Sequence, residues 1–383
     1  MPASSGASSR ARAVRLGVFA VDADAVQIAW GRLGPGRVEI TVGDDAVEVD
    51  PEGGPGVVSF HGLAPDTAGT VELTGSGVPG GARTLPFRTL AALPGPELFR
   101  FATVSDTHIG CRAYGMFHTM REKPQPDEPY TVRMARGAFA EAKAWGAQRL
   151  IAKGDVTHHG EIANWLTFRD LLDEAGLVGE AIPGNHDVED RREIDPDDAL
   201  EKIGLTPIPD GCRWIDVPGL RIVLVDSTVL EVRRGYVDHL HDVVREAVGS
   251  TDLPVWIGLH HHLEPLRWSY FYPPGVRGEH TTRFLAEIVA ANPNAFITSG
   301  HTHRNRRRQV GSVVLTEVGS PQDYPGTWAA YTVHEAGIRQ VTWRTEDPSC
   351  TPWIEYSRRA AGTLWGRWSP GRLDQRCFNH LWV

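Results

Sequence analysis

Cysteine is scarce, with four in 383 residues, and Cys111, Cys212, Cys350 and Cys377 form no CxxC pair. That excludes a zinc-ribbon framework and a disulfide-stapled secreted scaffold. Cys350 and Cys377 flank the C-terminal segment, where a pair and two reduced thiols both remain open. Long apolar runs are missing too, so nothing approaches the length needed to span a bilayer. Met1 to Arg12 are small and polar, without the apolar centre of a signal peptide. A cytoplasmic chain with a disordered lead-in over residues 1–12 is the expectation. Basic charge is not in excess either. The formal net charge of -9 argues against an electrostatic grip on nucleic acid or on an anionic membrane. Internal repeats and low-complexity tracts are absent.

What is present changes character along the chain. Between residues 13 and 93 short alternating runs recur, among them Val26-Gln27-Ile28-Ala29-Trp30, Val38-Glu39-Ile40-Thr41-Val42 and Thr70-Val71-Glu72-Leu73, separated by Gly, Pro and Asp. Period-two alternation broken by turn residues predicts an antiparallel all-β sandwich. The stretch resembles a fibronectin type III module, with Trp30 in the core position and Gly62 to Thr67 as the loop before a late strand. Leu93-Pro94-Gly95-Pro96 is a stiff connector. Over residues 97–346 strands and helices alternate, which predicts an α/β layered domain. Residues 347–383 carry Trp353, Trp365, Trp368 and Trp382, too many for a solvated tail, and are expected to pack back on that domain.

The chemistry gathers in five clusters, each after a short apolar strand: Asp106-Thr107-His108, Gly154-Asp155, Gly184-Asn185-His186-Asp187, His260-His261-His262 and Gly300-His301-Thr302-His303. In an open α/β sheet the strand carboxyl ends share an edge, so residues scattered over some 200 positions meet in one pocket. Carboxylate, imidazole and side-chain amide together suit Mn, Fe, Zn, Co or Ni rather than Ca. Burying so many such groups without a cation would cost several kcal/mol each. The glycines ahead of Asp155, Asn185 and His301 permit tight turns and close backbone approach.

In this order, D-x-H, G-D, G-N-H-D, a strand-end His and G-H-x-H resemble the calcineurin-like metallophosphoesterase superfamily over roughly residues 98 to 345. The resemblance implies a four-layer α/β sandwich and two transition-metal ions, Mn, Fe or Zn. One would be held by Asp106, His108 and His303, the other by Asn185, His260 and His301, with Asp155 bridging; His261 is the alternative within the triplet. His186 would stand at the leaving-group oxygen, held by Asp187. The implied reaction is hydrolysis in line by a hydroxide shared between metals roughly 3.5–4 Å apart.

The substrate is less legible. Gly154 to Asp187 is similar to class III cyclic-nucleotide phosphodiesterases and bacterial glycerophosphodiesterases, whereas a β-sandwich ahead of the catalytic domain resembles purple acid phosphatases. His158 stands where the latter carry a metal-bound tyrosine, which argues against a tyrosinate–iron site. A phosphodiesterase acting on a small-molecule ester is the expectation, with no nucleic-acid or membrane partner and the oligomeric state open. The alternatives are a phosphomonoesterase and a non-catalytic binding scaffold. Four further features border the motifs: the lid-like stretch Tyr114 to Pro129 with His118, the pair His158-His159, the aromatic run Trp268 to Pro274, and Arg304, Arg306, Arg307 and Arg308. The arginines suit an anionic substrate, a solvated strand edge, or salt bridges to the C-terminal tail.

Overall fold

The computed structural model describes residues 16–50, 52, 54–115, 118–189, 192–265 and 272–383. The expected lead-in over 1–12 and the aromatic residues Trp268 to Phe271 lie outside them. Seven strands come first: β1 (Leu16–Val21), β2 (Ala25–Trp30), β3 (Val38–Val42), β4 (Asp45–Val49), β5 (Gly56–His61), β6 (Ala68–Thr74) and β7 (Ala82–Arg88). They form a three-stranded sheet, β1-β2-β5, and a four-stranded sheet, β4-β3-β6-β7, antiparallel throughout. Val26, Ile28 and Trp30 from one sheet and Val38, Ile40, Val71 and Leu73 from the other are buried together.

Alternation then gives way to βα order. The chain runs through β8 (Glu97–Val104), α1 (Tyr130–Trp145), β9 (Arg149–Lys153), α2 (Ile162–Ala175), β10 (Val178–Ile182) and α3 (Pro196–Lys202). Next come β11 (Cys212–Val217), β12 (Leu220–Val225), α4 (His241–Gly249), β13 (Val255–Leu259), α5 (Gly278–Ala291) and β14 (Ala295–Ser299). The strands β15 (Arg306–Val310), β16 (Val313–Glu317), β17 (Thr327–His334) and β18 (Gly337–Arg344) follow. The short helices α6 (Thr351–Ser357), α7 (Trp365–Trp368) and α8 (Leu373–Arg376) lead to β19 (Cys377–Leu381). No helix among the described residues is long and apolar enough to cross a membrane.

Two six-stranded mixed sheets result, ordered β10-β9-β8-β17-β18-β19 and β11-β12-β13-β14-β16-β15. Residues in β12, β13 and β14 are all buried, because both faces of their sheet are covered. Between the sheets Phe101 stacks on Tyr331 (centroids 4.8 Å apart) and meets Trp256 edge-on (5.2 Å), with Ile151, Ile222 and Phe296 around them. Helices α1 and α2 cover the outer face of one sheet, α4 and α5 that of the other. The order of layers is therefore helix, sheet, sheet, helix. Both α1 and α2 stop at a glycine in the left-handed region, Gly146 (φ 100°) and Gly176 (φ 64°), which turns the chain into the next strand.

The first sandwich is fastened to this body by buried polar contacts. Gln27 exchanges two hydrogen bonds with the Arg344 backbone (2.9 and 3.0 Å), and Arg339 pairs with Asp22 at 3.0 Å. The C-terminal segment supplies a strand as well as helices, since β19 pairs antiparallel with β18. All four cysteines are buried and unpaired.

The expectation for the arginines resolves at the strand edge. The arginines after His303 belong to edge strand β15 and its approach. Arg304 and Arg308 face Glu317, while Arg304 lies over Trp368 (4.4 Å) and Arg307 over Phe378 (3.9 Å). Arg304 and Arg307 thereby knit the C-terminal segment to the sheet by stacking, while the salt bridges of Arg304 and Arg308 run to Glu317 in β16. Lys153, fully buried at the end of β9, donates to Thr298 Oγ1 (2.9 Å) and Ser299 O (3.0 Å), tying the two sheets at the edge where the five clusters meet.

Candidate metal centre

Each cluster begins where its strand stops: β8 ends at Val104, β9 at Lys153, β10 at Ile182, β13 at Leu259 and β14 at Ser299. Parallel pairing of β8, β9 and β10, and of β13 with β14, puts these ends on one edge. Backbone bonds then cross-link the loops: Asp106 N to Gly154 O (2.9 Å), His108 N to Asp155 O (2.9 Å) and Gly300 N to His260 O (3.0 Å). A β-carbon on Gly184 would sit 2.1 Å from the Asp155 amide nitrogen, and one on Gly154 2.3 Å from the His260 ring, so only glycine permits this approach.

The loops are held in costly shapes. Asp106, His108, Asp155, His301 and His303 have φ of 56°, 45°, 47°, 65° and 50°, the left-handed region that non-glycine residues avoid at roughly 1–3 kcal/mol each. Five such residues in one pocket mean that packing forces the side chains together. Asp106, Asp155 and His260 are buried, as are His108, Asn185 and His301, and His303 nearly so.

Asp155 stands in the middle. Its Oδ2 is 3.5 Å from His108 Nε2 and 3.3 Å from His260 Nε2. On one side His303 Nε2 is 3.4 Å from Asp106 Oδ1. On the other, His260 Nε2 is 3.3 Å from Asn185 Oδ1 and 3.1 Å from His301 Nδ1. Donor atoms sharing one ion at ~2.0–2.2 Å stand about 3–3.5 Å apart, which is the spacing found. All seven predicted residues are thus brought together, in two groups meeting at Asp155.

The outer ring nitrogens explain why the inner ones need a cation. His260 Nδ1 donates to Lys153 O (2.9 Å), His301 Nε2 to Pro274 O (3.2 Å) and His303 Nδ1 to Asp323 Oδ1 (2.7 Å). Those partners place the N–H of these three rings outward and leave their inner nitrogens a bare lone pair. Two lone pairs 3.1 Å apart, on His260 and His301, repel unless a proton or a cation lies between them. Electrostatics agree. Burial alone would lower His260, yet Asp155 beside it pushes it up to about 9. His303 is likewise driven well up, against burial, by Asp106 and Asp323. Positive charge is in demand at both positions.

His186 and Asp187 need a correction. Asp187 does not hold the His186 ring. Its carboxylate accepts from the amides of Val156 (3.1 Å), Thr157 (2.8 Å) and Gly184 (2.8 Å) and from the Thr157 hydroxyl (2.8 Å). Its work is to lock the two loops that carry Asp155 and Asn185. The carboxylate against His186 Nδ1 is Glu189, at 2.7 Å, three residues on in the same turn; its other oxygen meets His159 Nδ1 at 2.8 Å. Burial would lower His186, but Asp155, Glu189 and Asp187 together hold it above the usual imidazole value.

Two carboxylates escaped the sequence reading. Glu189 carried a weak signal in its i+3 spacing from His186. Asp323 carried none, being 20 residues beyond His303 in a loop that also accepts from Tyr114 (2.6 Å) and Trp365 (2.7 Å). Within the triplet, His260 faces Asp155, whereas His261 Nδ1 is paired with the Ser227 hydroxyl (2.9 Å). A cleft of about 850 Å³ opens beside Asn185 and His186, walled also by His118, His158, Arg121 and Arg233.

The family model described as calcineurin-like phosphoesterase matches residues 99–305. The chain is similar to the 3',5'-cyclic adenosine monophosphate phosphodiesterase CpdA of Pseudomonas aeruginosa, 28% identical over 171 residues. That match covers 43% of this chain and 58% of CpdA, so less than two thirds of the relative has a counterpart here. It is also similar to a probable cyclic nucleotide phosphodiesterase of Synechococcus sp., 24% identical over 226 residues, 56% of this chain and 82% of that protein. Among solved structures, purple acid phosphatase PPD1 from seeds of yellow lupin, Lupinus luteus, aligns at 11% identity over 87% of this chain and 72% of that one, with a TM-score of 0.45.

Proposed function

We propose a function from one premise: the chain belongs to the calcineurin-like phosphoesterase family, whose model spans more than half its length. On that premise the buried His/Asp clusters are consistent with a centre for two metal ions. Our reading assigns Asp106, His108 and His303 to one ion and Asn185, His260 and His301 to the other, with Asp155 shared. The single observation that supports this most is Asp155 Oδ2, which stands 3.5 Å from one imidazole and 3.3 Å from another on opposite sides. Such an ion pair, when bound, acidifies water from a pKa of ~15.7 toward ~7 and offsets charge on phosphoryl oxygens.

The chain's own groups do the rest. Lys153, Pro274 and Asp323 fix the ring faces, so no reorientation is needed when substrate enters. His186 lies on the cleft wall. With Nδ1 engaged by Glu189, Nε2 is the atom left to give a proton to a departing alkoxide. Cations beside Asp155 would offset that carboxylate, leaving Glu189 as the group that keeps His186 charged.

The substrate we assign is a small phosphodiester of the cyclic-nucleotide or glycerophosphodiester type. The similarity to two cyclic-nucleotide phosphodiesterases supports it, and a cleft of about 850 Å³ fits a small molecule. The test is a panel in Mn(II): bis(p-nitrophenyl) phosphate, a cyclic nucleotide, a glycerophosphodiester and p-nitrophenyl phosphate, compared by kcat/KM. Diesters should lead, and Asp155→Ala or Asn185→Ala should cut turnover by orders of magnitude in a folded chain. A monoester preferred throughout would overturn the diester assignment, and no turnover of any ester would overturn the enzyme.

A further inference from the structure

A second group of thiol and imidazole side chains lines the same cleft, apart from the seven already placed. Cys111 is buried, and its thiol donates to Ala113 O at 3.0 Å. His158 follows Asp155 by three residues, and its Nδ1 is buried with no hydrogen-bond partner. His118, on the loop that follows Tyr114, is exposed, has φ 50° and brings its ring to 5.8 Å from that of His158. The Cys111 sulfur and one nitrogen from each ring all lie within 4.8 Å of one another. A buried ring nitrogen without a partner costs about 1–3 kcal/mol, so His158 in particular calls for one.

We propose that Cys111, His118 and His158 form a third metal site, which takes a thiophilic divalent cation of the Zn(II) type. One thiolate with two imidazoles is a set that such cations select, whereas the seven-residue centre contains no sulfur and two carboxylates. Binding converts the Cys111 thiol to thiolate. The hydrogen bond to Ala113 is broken, a sulfur–metal bond forms, and one proton leaves for solvent. Three protein ligands leave a fourth position for water or an anion. The His158 ring is 5.3 Å from that of His186, so an ion held there narrows the approach to His186 and restrains turnover. That consequence rests on the phosphodiesterase reading; the site itself does not.

The experiment saturates the full chain with Co(II) and compares it with Cys111→Ser and His118→Ala. A thiolate-to-cobalt charge-transfer band in the near ultraviolet can report only on a sulfur ligand. The expected result is three cobalt ions and the band in the unaltered chain, two ions and no band in Cys111→Ser, and a third ion bound at least about tenfold more weakly in His118→Ala. Saturation at two ions without the band, or a band that survives Cys111→Ser, overturns the site. Zn(II) added to Mn(II)-loaded enzyme should then slow hydrolysis of bis(p-nitrophenyl) phosphate in the unaltered chain and not in Cys111→Ser. Equal slowing of both overturns the restraint, and the band in a chain that hydrolyses nothing would leave the site standing while removing the phosphodiesterase reading.

Discussion

Replacing Asp323 by Asn changes one oxygen to an NH2 group and almost no volume, yet it should loosen one metal of the pair. Asp323 is fully buried and accepts from three donors: His303 Nδ1 at 2.7 Å on one oxygen, Tyr114 Oη (2.6 Å) and Trp365 Nε1 (2.7 Å) on the other. An amide cannot satisfy all three. If its oxygen faces Tyr114 and Trp365, its NH2 faces His303 and forces that ring to carry its proton on Nε2, the atom aimed at Asp106. If its oxygen faces His303, the NH2 confronts the Trp365 N–H, leaving a buried donor unpaired at about 1–3 kcal/mol. Either arrangement weakens the bare nitrogen that His303 offers. Loss of such an outer partner lowers metal affinity about 10- to 100-fold, or about 1.4 to 2.7 kcal/mol. Competition against a chelator, followed by Mn(II) content, measures this directly. One ion should weaken by that factor while the other, on Asn185, His260 and His301, is retained. Unchanged affinity for both ions in a folded Asp323→Asn chain would refute the assignment of His303.

Further outcomes are fixed by the same geometry. Gly184→Ala drives a β-carbon to 2.1 Å from the Asp155 amide nitrogen, so turnover and Mn(II) content should both collapse; normal values of either would contradict the close approach. Phe101→Ala empties the contact with Tyr331 and Trp256 and should cost about 3–5 kcal/mol in a urea melt. Glu141 links α1 to the end of β18, accepting from Trp328 Nε1 and from the amides of Glu346 and Asp347; burial outweighs these bonds and pushes it up to about 7. A raised carboxyl in the folded state adds stability at low pH that fades as pH rises through about 7. The stability of the unaltered chain relative to Glu141→Gln should therefore be greater at acid pH than at alkaline pH, and an equal difference at both would rule this out.

The site was legible in the sequence wherever chemistry and strand ends coincide. Each of the five clusters follows an apolar strand that β8, β9, β10, β13 and β14 reproduce, and their seven residues converge. What escaped was set by turns and by distance. The partner of His186 was read as its neighbour Asp187, but successive residues in a tight turn point apart, and i+3 brings Glu189 back to the ring. Asp323 owes its place to Tyr114 and Trp365, one from the loop after β8 and one from the C-terminal segment, a packing that no local pattern announces. Helix α3 went unread although Asp195 caps it and Pro196 opens it, because Pro-Asp-Asp-Ala-Leu-Glu-Lys has little apolar period in seven residues. Edge strand β11 was missed for a related reason: its alternate residues Arg213, Ile215 and Val217 are only half buried, and Trp214 is exposed.

The account depends on a pair of cations sharing Asp155, and counting them is the most direct test. Mn(II) is the ion to use, because a thiolate site discriminates against it and the count then reports the seven-residue centre alone. Elemental analysis after Mn(II) loading and gel filtration should give two ions per unaltered chain and less than one per Asp155→Ala chain. An unaltered chain that retains no manganese, or an Asp155→Ala chain that still retains two ions, would contradict it.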